Sequence, residues 1–225
     1  MKRIRILLSE DHTFVREALR NMLRFEDDLE VVGEAQDGRQ AVEMVKKLLP
    51  AVVLMDIGMP HLNGLDATRQ ILKAVPATKV LMLSAHSEDA YITNAIEAGA
   101  AGFLLKQTSV DEVYRAIRAV HEGIPYFSPS ISRRLNHLNP QLFGQGGMIN
   151  LKAAELTSRE REVLQLVAEG NANKQTAVEL GIGVKTVEKH REHLMKKLDI
   201  HHTAGLTRYA LSAGIIESGA HLSLA

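Results

Sequence analysis

The sequence predicts an α/β protein with a doubly wound parallel sheet, followed after a break by a smaller all-α domain. Three observations carry that prediction. Short runs rich in Val, Ile and Leu alternate with helix-period segments through residue 122. The runs lack the period-two alternation of a half-exposed sheet, as strands buried on both faces do. The stretch SPSISRRLNHLNPQLFGQGGMINLKAAE from Ser128 then breaks the pattern, punctuated by Pro129, Pro140, Gly144, Gly146 and Gly147, and purely helical grammar follows it.

The predicted strands are Ile4–Leu8, Leu29–Ala35, Val52–Met55, Val80–Leu83 and Gly102–Leu105. Between them lie helices, the first over Phe14–Phe25, where Val15, Leu19, Met22 and Leu23 share a face. The others run near Gly38–Leu48, Leu65–Val75, Asp89–Ala98 and Val110–Glu122. Alternating strands and helices imply right-handed crossovers with helices on both sheet faces. In the break only Ile131–Leu138 has the makings of a short helix. Thr157 followed by Glu160 is a capping box opening TSREREVLQLVAEG, whose Val163, Leu164, Leu166 and Val167 form an apolar side and whose Gly170 ends it. Asn173–Leu180 is a second helix, Gly181-Ile182-Gly183 a tight turn and Val184–Leu198 a third helix, the arrangement a helix-turn-helix requires. The expected division is 1–122, a linker over 123–154, and 155–225.

Composition narrows the function. The 225 residues hold 27 Lys/Arg and 27 Asp/Glu, so no overall field marks an acidic or basic partner. The balance hides a split: 15 basic against 18 acidic groups in residues 1–125, and 10 against 9 from 151 onward. There is no cysteine, which excludes a disulfide scaffold, a thiolate zinc site and a cysteine nucleophile. The apolar part of MKRIRILLSEDH is too short for a signal segment, and Ala98–Leu105 is too short for a membrane span. A cytoplasmic setting with no membrane partner is the expectation.

Ligands of open parallel sheets sit at the carboxyl ends of the strands, near a switch in strand order. Glu10 and Asp11 follow the first predicted strand, Asp56 the third, Ser84 ends the fourth and Lys106 follows the fifth. Aligned strands would gather three carboxylates, a hydroxyl and an ammonium. Carboxylates so close raise one another's pKa, and a hard divalent cation such as Mg²⁺ answers that repulsion. Lys106 and Ser84 would then face an anionic group on one carboxylate, which suits phosphoryl transfer. Each residue also has a plainer reading. Glu10 and Asp11 suit a helix N-terminus, Ser84 a helix cap, Lys106 a solvated surface and Phe103 the core.

Glu10-Asp11, LMDIGMPHLNG around Asp56, LMLSAH with Ser84-Ala85, and GFLLK ending in Lys106 together resemble the receiver domain of two-component response regulators, over residues 1–122. The resemblance implies a flavodoxin-like fold in which Asp56 accepts a phosphoryl group from a sensor histidine kinase, with Ser84 and Lys106 on the phosphoryl oxygens. It implies Mg²⁺ held by Glu10, Asp11, Asp56 and the backbone carbonyl of Gly58. It also makes Ser84 and Phe103 the switch pair, the hydroxyl drawn inward by phosphate and the ring following. Glu10 is longer than the Asp often found there, which shifts the metal geometry. Gly58 and His86 match positions that tune the lifetime of the acyl phosphate. His61 and His86 have no ligand spacing that supports a transition-metal site.

Placed at 100° steps, Val184, Val187, Leu194 and Leu198 fall on one side of the third helix of the second domain. Lys185, Lys189, Glu192 and Lys196 fall opposite, with Glu188 flanking, and by charge alone that side suits a merely solvated surface. LTSREREVLQLVAEGNANK, TVEKHREHLMKKLDI and LTRYAL, however, resemble the LuxR-type head of the NarL/FixJ response regulators, over residues 156–216. That implies a four-helix head with its third helix in the major groove and its fourth, here Ala204–Ala213, used for dimerisation. Lys185, Glu188, Lys189 and Glu192 become base-edge candidates, and Thr186, Arg191, Lys196 and Asn173 phosphate candidates. The implied partners are double-stranded DNA and, on activation, a second copy of the chain. Thr176 stands where the family has an apolar residue, which leaves two expectations: a hydroxyl bonded back to its helix, or a loosened head.

The expectation is a transcription regulator and not an enzyme. A phosphohydrolase with an aspartyl-phosphate intermediate is the first rival, but Gly58 stands where its second Asp would be. The second rival is a binding protein with a vestigial pocket. The linker permits either a masked or a free second domain.

Overall fold

The computed structural model describes residues 3–128, 131–132 and 156–216. Its strands are β1 (Ile4–Ser9), β2 (Leu29–Ala35), β3 (Val52–Asp56), β4 (Lys79–Ser84), β5 (Gly102–Leu105) and β6 (Tyr126–Phe127). They form one parallel sheet in the order β2-β1-β3-β4-β5-β6, which reverses between β1 and β3. Helices α1 (Thr13–Leu23), α2 (Gly38–Leu48), α3 (Gly64–Ala74), α4 (Asp89–Glu97) and α5 (Val110–His121) alternate with the first five strands. The sixth strand corrects the sequence reading. Tyr126 and Phe127 lie within the expected linker, yet they pair with Gly102 and Phe103 and extend the sheet. Ile131 and Ser132 are helical, while the rest of the short helix expected over 131–138 lies outside the described residues.

The strands alternate between two cores, which is why their sequences do not alternate in polarity. Leu7, Val53, Met55, Val80, Met82 and Phe103 pack on one face; Ile6, Leu8, Val52, Leu54, Leu81, Leu83 and Leu104 pack on the other. Asp37 and Asn63 cap α2 and α3 by accepting the N–H groups of Gln40 and Asp66. Gly64 is required by close approach. A Cβ there would stand 2.0 Å from the Asp56 carbonyl oxygen, so α3 starts directly against the end of β3.

The second domain comprises α6 (Ser158–Ala168), α7 (Asn173–Leu180), α8 (Val184–Leu198) and α9 (Thr203–Ser212). Its capping box is complete: Glu160 N donates to Thr157 Oγ1 at 3.2 Å and Thr157 N to Glu160 Oε2 at 2.8 Å. Lys197 Nζ also reaches Glu160 Oε2, and these partners hold the carboxyl below its ordinary range despite burial. Val163, Leu164, Val187, Leu194, Leu206 and Ala210 form the core. Val184, expected on the apolar side, is the first residue of α8 and is 39% exposed.

Thr176 departs from the first of its two expectations. The side chain is fully buried and its Oγ1 has no hydrogen-bond partner, so the bond back to the helix is not made. A buried orphan hydroxyl costs roughly 1–3 kcal/mol, and valine has nearly the same shape. Thr176→Val therefore stabilises the helical domain by about 1 kcal/mol in denaturant unfolding. A loss of stability would show that the hydroxyl is satisfied in solution.

The two domains meet through α6. Gln165 is buried and bonds to the loop that joins β3 to α3. Arg161 Nε pairs with Asp66 Oδ1 at 2.6 Å, and Gln70 Nε2 donates to Glu162 Oε1 at 3.1 Å. Beyond the end of α9, the Ala213 carbonyl accepts from Asn94 Nδ2 of α4 at 2.8 Å.

Candidate functional site

Strand register gathers the predicted residues. Ser9 pairs with Met55, Asp56 with Leu83 and Ser84 with Leu105, so β1, β3, β4 and β5 end at one level, beside the reversal in strand order. Glu10, Asp56 and Ser84 are almost wholly buried there. Lys106 Nζ lies 2.9 Å from Asp56 Oδ1 and 2.9 Å from Glu10 Oε2. Asp56 Oδ1 also accepts the N–H of Ile57 at 2.9 Å. Asp11 completes the cluster: one ligand atom from each of Glu10, Asp11, His12 and Asp56 lies within 4.8 Å of the others.

Burial pushes the carboxyls of Glu10 and Asp56 above their ordinary range, and the neighbouring acids push the same way while Lys106 opposes. Burial alone would lower Lys106, but Asp56 and then Glu10 outweigh it and raise the ammonium pKa. One ammonium thus pairs with two of three clustered carboxylates, and the oxygen-rich donor set fits a hard divalent cation such as Mg²⁺. Ser84 Oγ accepts the N–H of His86 at 3.0 Å, which leaves its own hydrogen to donate. Phe103 is fully buried, flanked in the sheet by Met82 and Phe127.

Sequence reasoning missed three residues that build this site. Arg16, buried in α1, donates from Nη1 to the carbonyls of Glu10 at 2.7 Å and Asp11 at 3.2 Å, which fixes the loop bearing both acids. It stands one heptad before buried Leu23, so an arginine on the apolar side of α1 was the available signal. His12 follows the two acids and turns its ring towards both. Gln165 comes from the other domain. Its Oε1 accepts from Asn63 N at 2.9 Å and Asn63 Nδ2 at 3.0 Å, while its Nε2 donates to the Met59 carbonyl at 3.0 Å and to Glu169 Oε1 at 2.7 Å. The loop it grips begins immediately after Asp56 and includes Gly58. A second thread runs through the hydroxyl: the His86 ring stacks on Tyr91 at 4.9 Å, and a Cβ on Gly214 would stand 2.8 Å from the Tyr91 ring.

On α8, Lys185, Thr186, Glu188, Lys189, Glu192 and Lys196 are all exposed on the side away from the core. Arg191 is different. Its guanidinium donates to Asn173 Oδ1 at 3.0 Å and Thr203 Oγ1 at 2.6 Å, tying together α8 and the first residues of α7 and α9. Arg191 and Asn173, both expected at phosphates, are thus bonded to each other in the free chain. The domain contact leaves the outward face of α8 open while it covers parts of α6 and the end of α9. Among the described residues, no helix is long and apolar enough to cross a membrane.

Comparison with known proteins adds a family to this geometry. Residues 6–118 match the response regulator receiver domain, and residues 154–210 match the bacterial regulatory proteins of the luxR family. The chain is 41% identical to the transcriptional regulatory protein MctR of Rhizobium johnstonii, over 95% of this chain and 96% of that one. Among solved structures it is similar to the response regulator ChrA of a heme-sensing two-component system, at 32% identity and a TM-score of 0.52, covering 96% of this chain and 100% of that one. It is also similar to a structure of two RcsB dimers bound to two parallel DNAs, at 25% identity and a TM-score of 0.57, covering 94% and 99%.

Proposed function

This chain belongs to the two-component response regulators that join a receiver domain to a LuxR-type helix-turn-helix head, and on that premise we propose that Asp56 is its phosphoacceptor and the outward face of α8 its DNA-reading surface. As a member of that family it regulates transcription. The observation that carries the assignment is Lys106 Nζ, equidistant from Asp56 and Glu10 in a buried acidic pocket at the sheet's switch point.

The pocket's residues divide the work. Glu10, Asp11, Asp56 and the Gly58 carbonyl would hold Mg²⁺, whose chemistry is to neutralise phosphoryl oxygens. An oxygen of the Asp56 carboxylate attacks phosphorus as the bond to the imidazole of a sensor histidine kinase breaks, and the released imidazole takes up a proton. Lys106, already bonded to Asp56, follows the charge onto the phosphoryl group. Ser84 donates its free hydrogen to a phosphoryl oxygen. That movement pulls on His86, then on Tyr91, and so on the end of the head at Gly214. Phe103 repacks behind the hydroxyl. The mark stays on the protein and is not turned over, so the domain acts as a switch and not an enzyme.

The head then leaves the receiver, dimerises and binds paired half-sites on double-stranded DNA, in the manner of RcsB dimers on DNA. With β6 paired into its sheet, the receiver extends through residue 127, the linker follows it up to residue 154, and the head takes 155–225. The setting is the cytoplasm, where kinase and DNA are both accessible.

Incubation of the full chain with Mg²⁺ and labelled acetyl phosphate tests the assignment. Stable stoichiometric label supports it, catalytic turnover supports the phosphohydrolase, and no label supports a vestigial pocket. For the head, Lys189→Ala weakens binding to the specific operator by about 1–3 kcal/mol and binding to bulk DNA much less. Equal losses on both, with a reduced salt slope, would move Lys189 from a base edge to a phosphate.

A further inference from the structure

The outward face of α8 carries two carboxylates, on a surface that the head otherwise offers to a polyanion. At about 100° per residue from Val184, Glu188 and Glu192 fall at about 40° and about 80°. Lys185, Lys196 and Lys189 follow at about 100°, 120° and 140°, so acid and base stand in neighbouring stripes. Lys185 and Glu188, Lys189 and Glu192, and Glu192 and Lys196 all have spacings at which a helix pairs opposite charges. All five side chains are exposed, and among the described residues none of them makes a hydrogen bond or an ion pair.

Such a face is costly beside DNA. The residues from 151 onward hold 10 basic against 9 acidic groups, so little surplus field offsets repulsion between a carboxylate and the phosphates. A carboxylate in the major groove is compensated by a donor on a base edge, and the groove offers adenine N6 and cytosine N4. Adenine N6 lies between acceptors, its own N7 and the O4 of thymine, and both repel a carboxylate. Cytosine N4 has guanine O6 on one side and a ring carbon on the other, so it suits a carboxylate better. A lysine ammonium makes the complementary choice on the same pair and meets guanine O6 and N7. Both stripes of α8 therefore favour guanine–cytosine pairs, one stripe through each base.

We propose that Glu188 and Glu192 determine specificity by accepting hydrogen bonds from cytosine N4, so that the half-sites this head selects carry guanine–cytosine pairs beneath α8. This rests on the reading of that face as the DNA surface. The same two charges lower affinity for other sequences, since a carboxylate left without a donor meets the phosphates unopposed. Specificity then comes from rejection as well as attraction.

The test is selection of double-stranded DNA from a randomised library by the full-length chain with Mg²⁺ and acetyl phosphate. The natural sequence is compared with Glu188→Gln, Glu192→Gln and Lys189→Ala, and the enriched and scrambled duplexes are then titrated. The natural chain is expected to enrich half-sites with a cytosine for each glutamate. Each glutamine variant moves the preference at one of those positions to adenine, whose N6 and N7 a carboxamide pairs with. It also binds the natural half-site about tenfold more weakly and scrambled DNA more tightly. Equal gains on both duplexes, or an unchanged selected sequence, overturn the cytosine readout while leaving α8 as the DNA surface. A selected sequence and affinity that none of the three substitutions alters would overturn both.

Discussion

Asp56→Asn takes up no phosphoryl group from acetyl phosphate, while the natural chain gains one, readable as a mass increment or as acid-labile label. The amide cannot form a stable acyl phosphate, and it lacks the charge that holds Lys106 in place at 2.9 Å. The substitution does not act by unfolding the domain. Burial, with Asp11 adding to it, raises the Asp56 pKa in the fold. A carboxyl with a raised folded pKa favours the native state fully below its unfolded pKa, and that contribution is lost as the pH rises through the folded value. Asparagine has no such loss. The variant therefore gains stability relative to the natural chain as the pH is raised from the acid range to neutrality. Thermal unfolding at the two ends of that range checks the sign. A labelled, stable Asp56→Asn protein would remove Asp56 from the mechanism, and a destabilised one at neutral pH would contradict the burial argument.

Gln165→Leu opens the two-domain arrangement. In the closed chain the leucine leaves the Asn63 N–H and the Met59 carbonyl facing an apolar side chain, and each buried orphan costs roughly 1–3 kcal/mol. Opening hydrates both groups, so the penalty falls on the closed state and not on either fold. Two such penalties add to roughly 2–6 kcal/mol, which shifts a two-state equilibrium by about 30-fold or more. Small-angle scattering should show the expansion without phosphodonor, and unfolding midpoints of the two domains should hardly move. Arg39→Ala is the control: its pairs with Glu162 and Glu179 are both 3.8 Å long, and its Nε and Nη2 make no hydrogen bond, so its effect is smaller. Unchanged scattering for Gln165→Leu would mean that the carboxamide does not hold the domains together.

The two cases mark how far the sequence reaches. Strand-end acids, a hydroxyl and a lysine announce themselves because sheet topology brings strand ends together: Glu10, Asp11, Asp56 and Lys106 cluster, with Ser84 at the end of the adjoining strand. The capping box at Thr157 and the helix spans of the head were legible because their signals are local. β6 was not, since two residues after Pro125 carry no period of their own and gain strand form only from the edge of β5. Gln165 was hidden for a different reason. At 100° per residue it stands opposite the apolar arc of Val163, Leu164, Leu166 and Val167, where the head alone would leave it in water. Its burial, which leaves 1% exposed, comes from the receiver, a contact no local pattern encodes. The bonds of Arg191 to Asn173 and Thr203 were hidden as well, because sequence spacing does not reveal a hydrogen-bonded tie between helices.

The central claim is that a mark on Asp56 is read as a change in the position of the head. Because the chain has no cysteine, spin labels can be placed cleanly through Glu43→Cys on exposed α2 and Lys174→Cys on exposed α7. The distance distribution between them, taken with Mg²⁺ before and after acetyl phosphate, measures the change directly. A shift from a short, narrow distribution to a longer, broader one, absent when Asp56→Asn is added, is the predicted result. Identical distributions before and after stoichiometric phosphorylation would contradict the account.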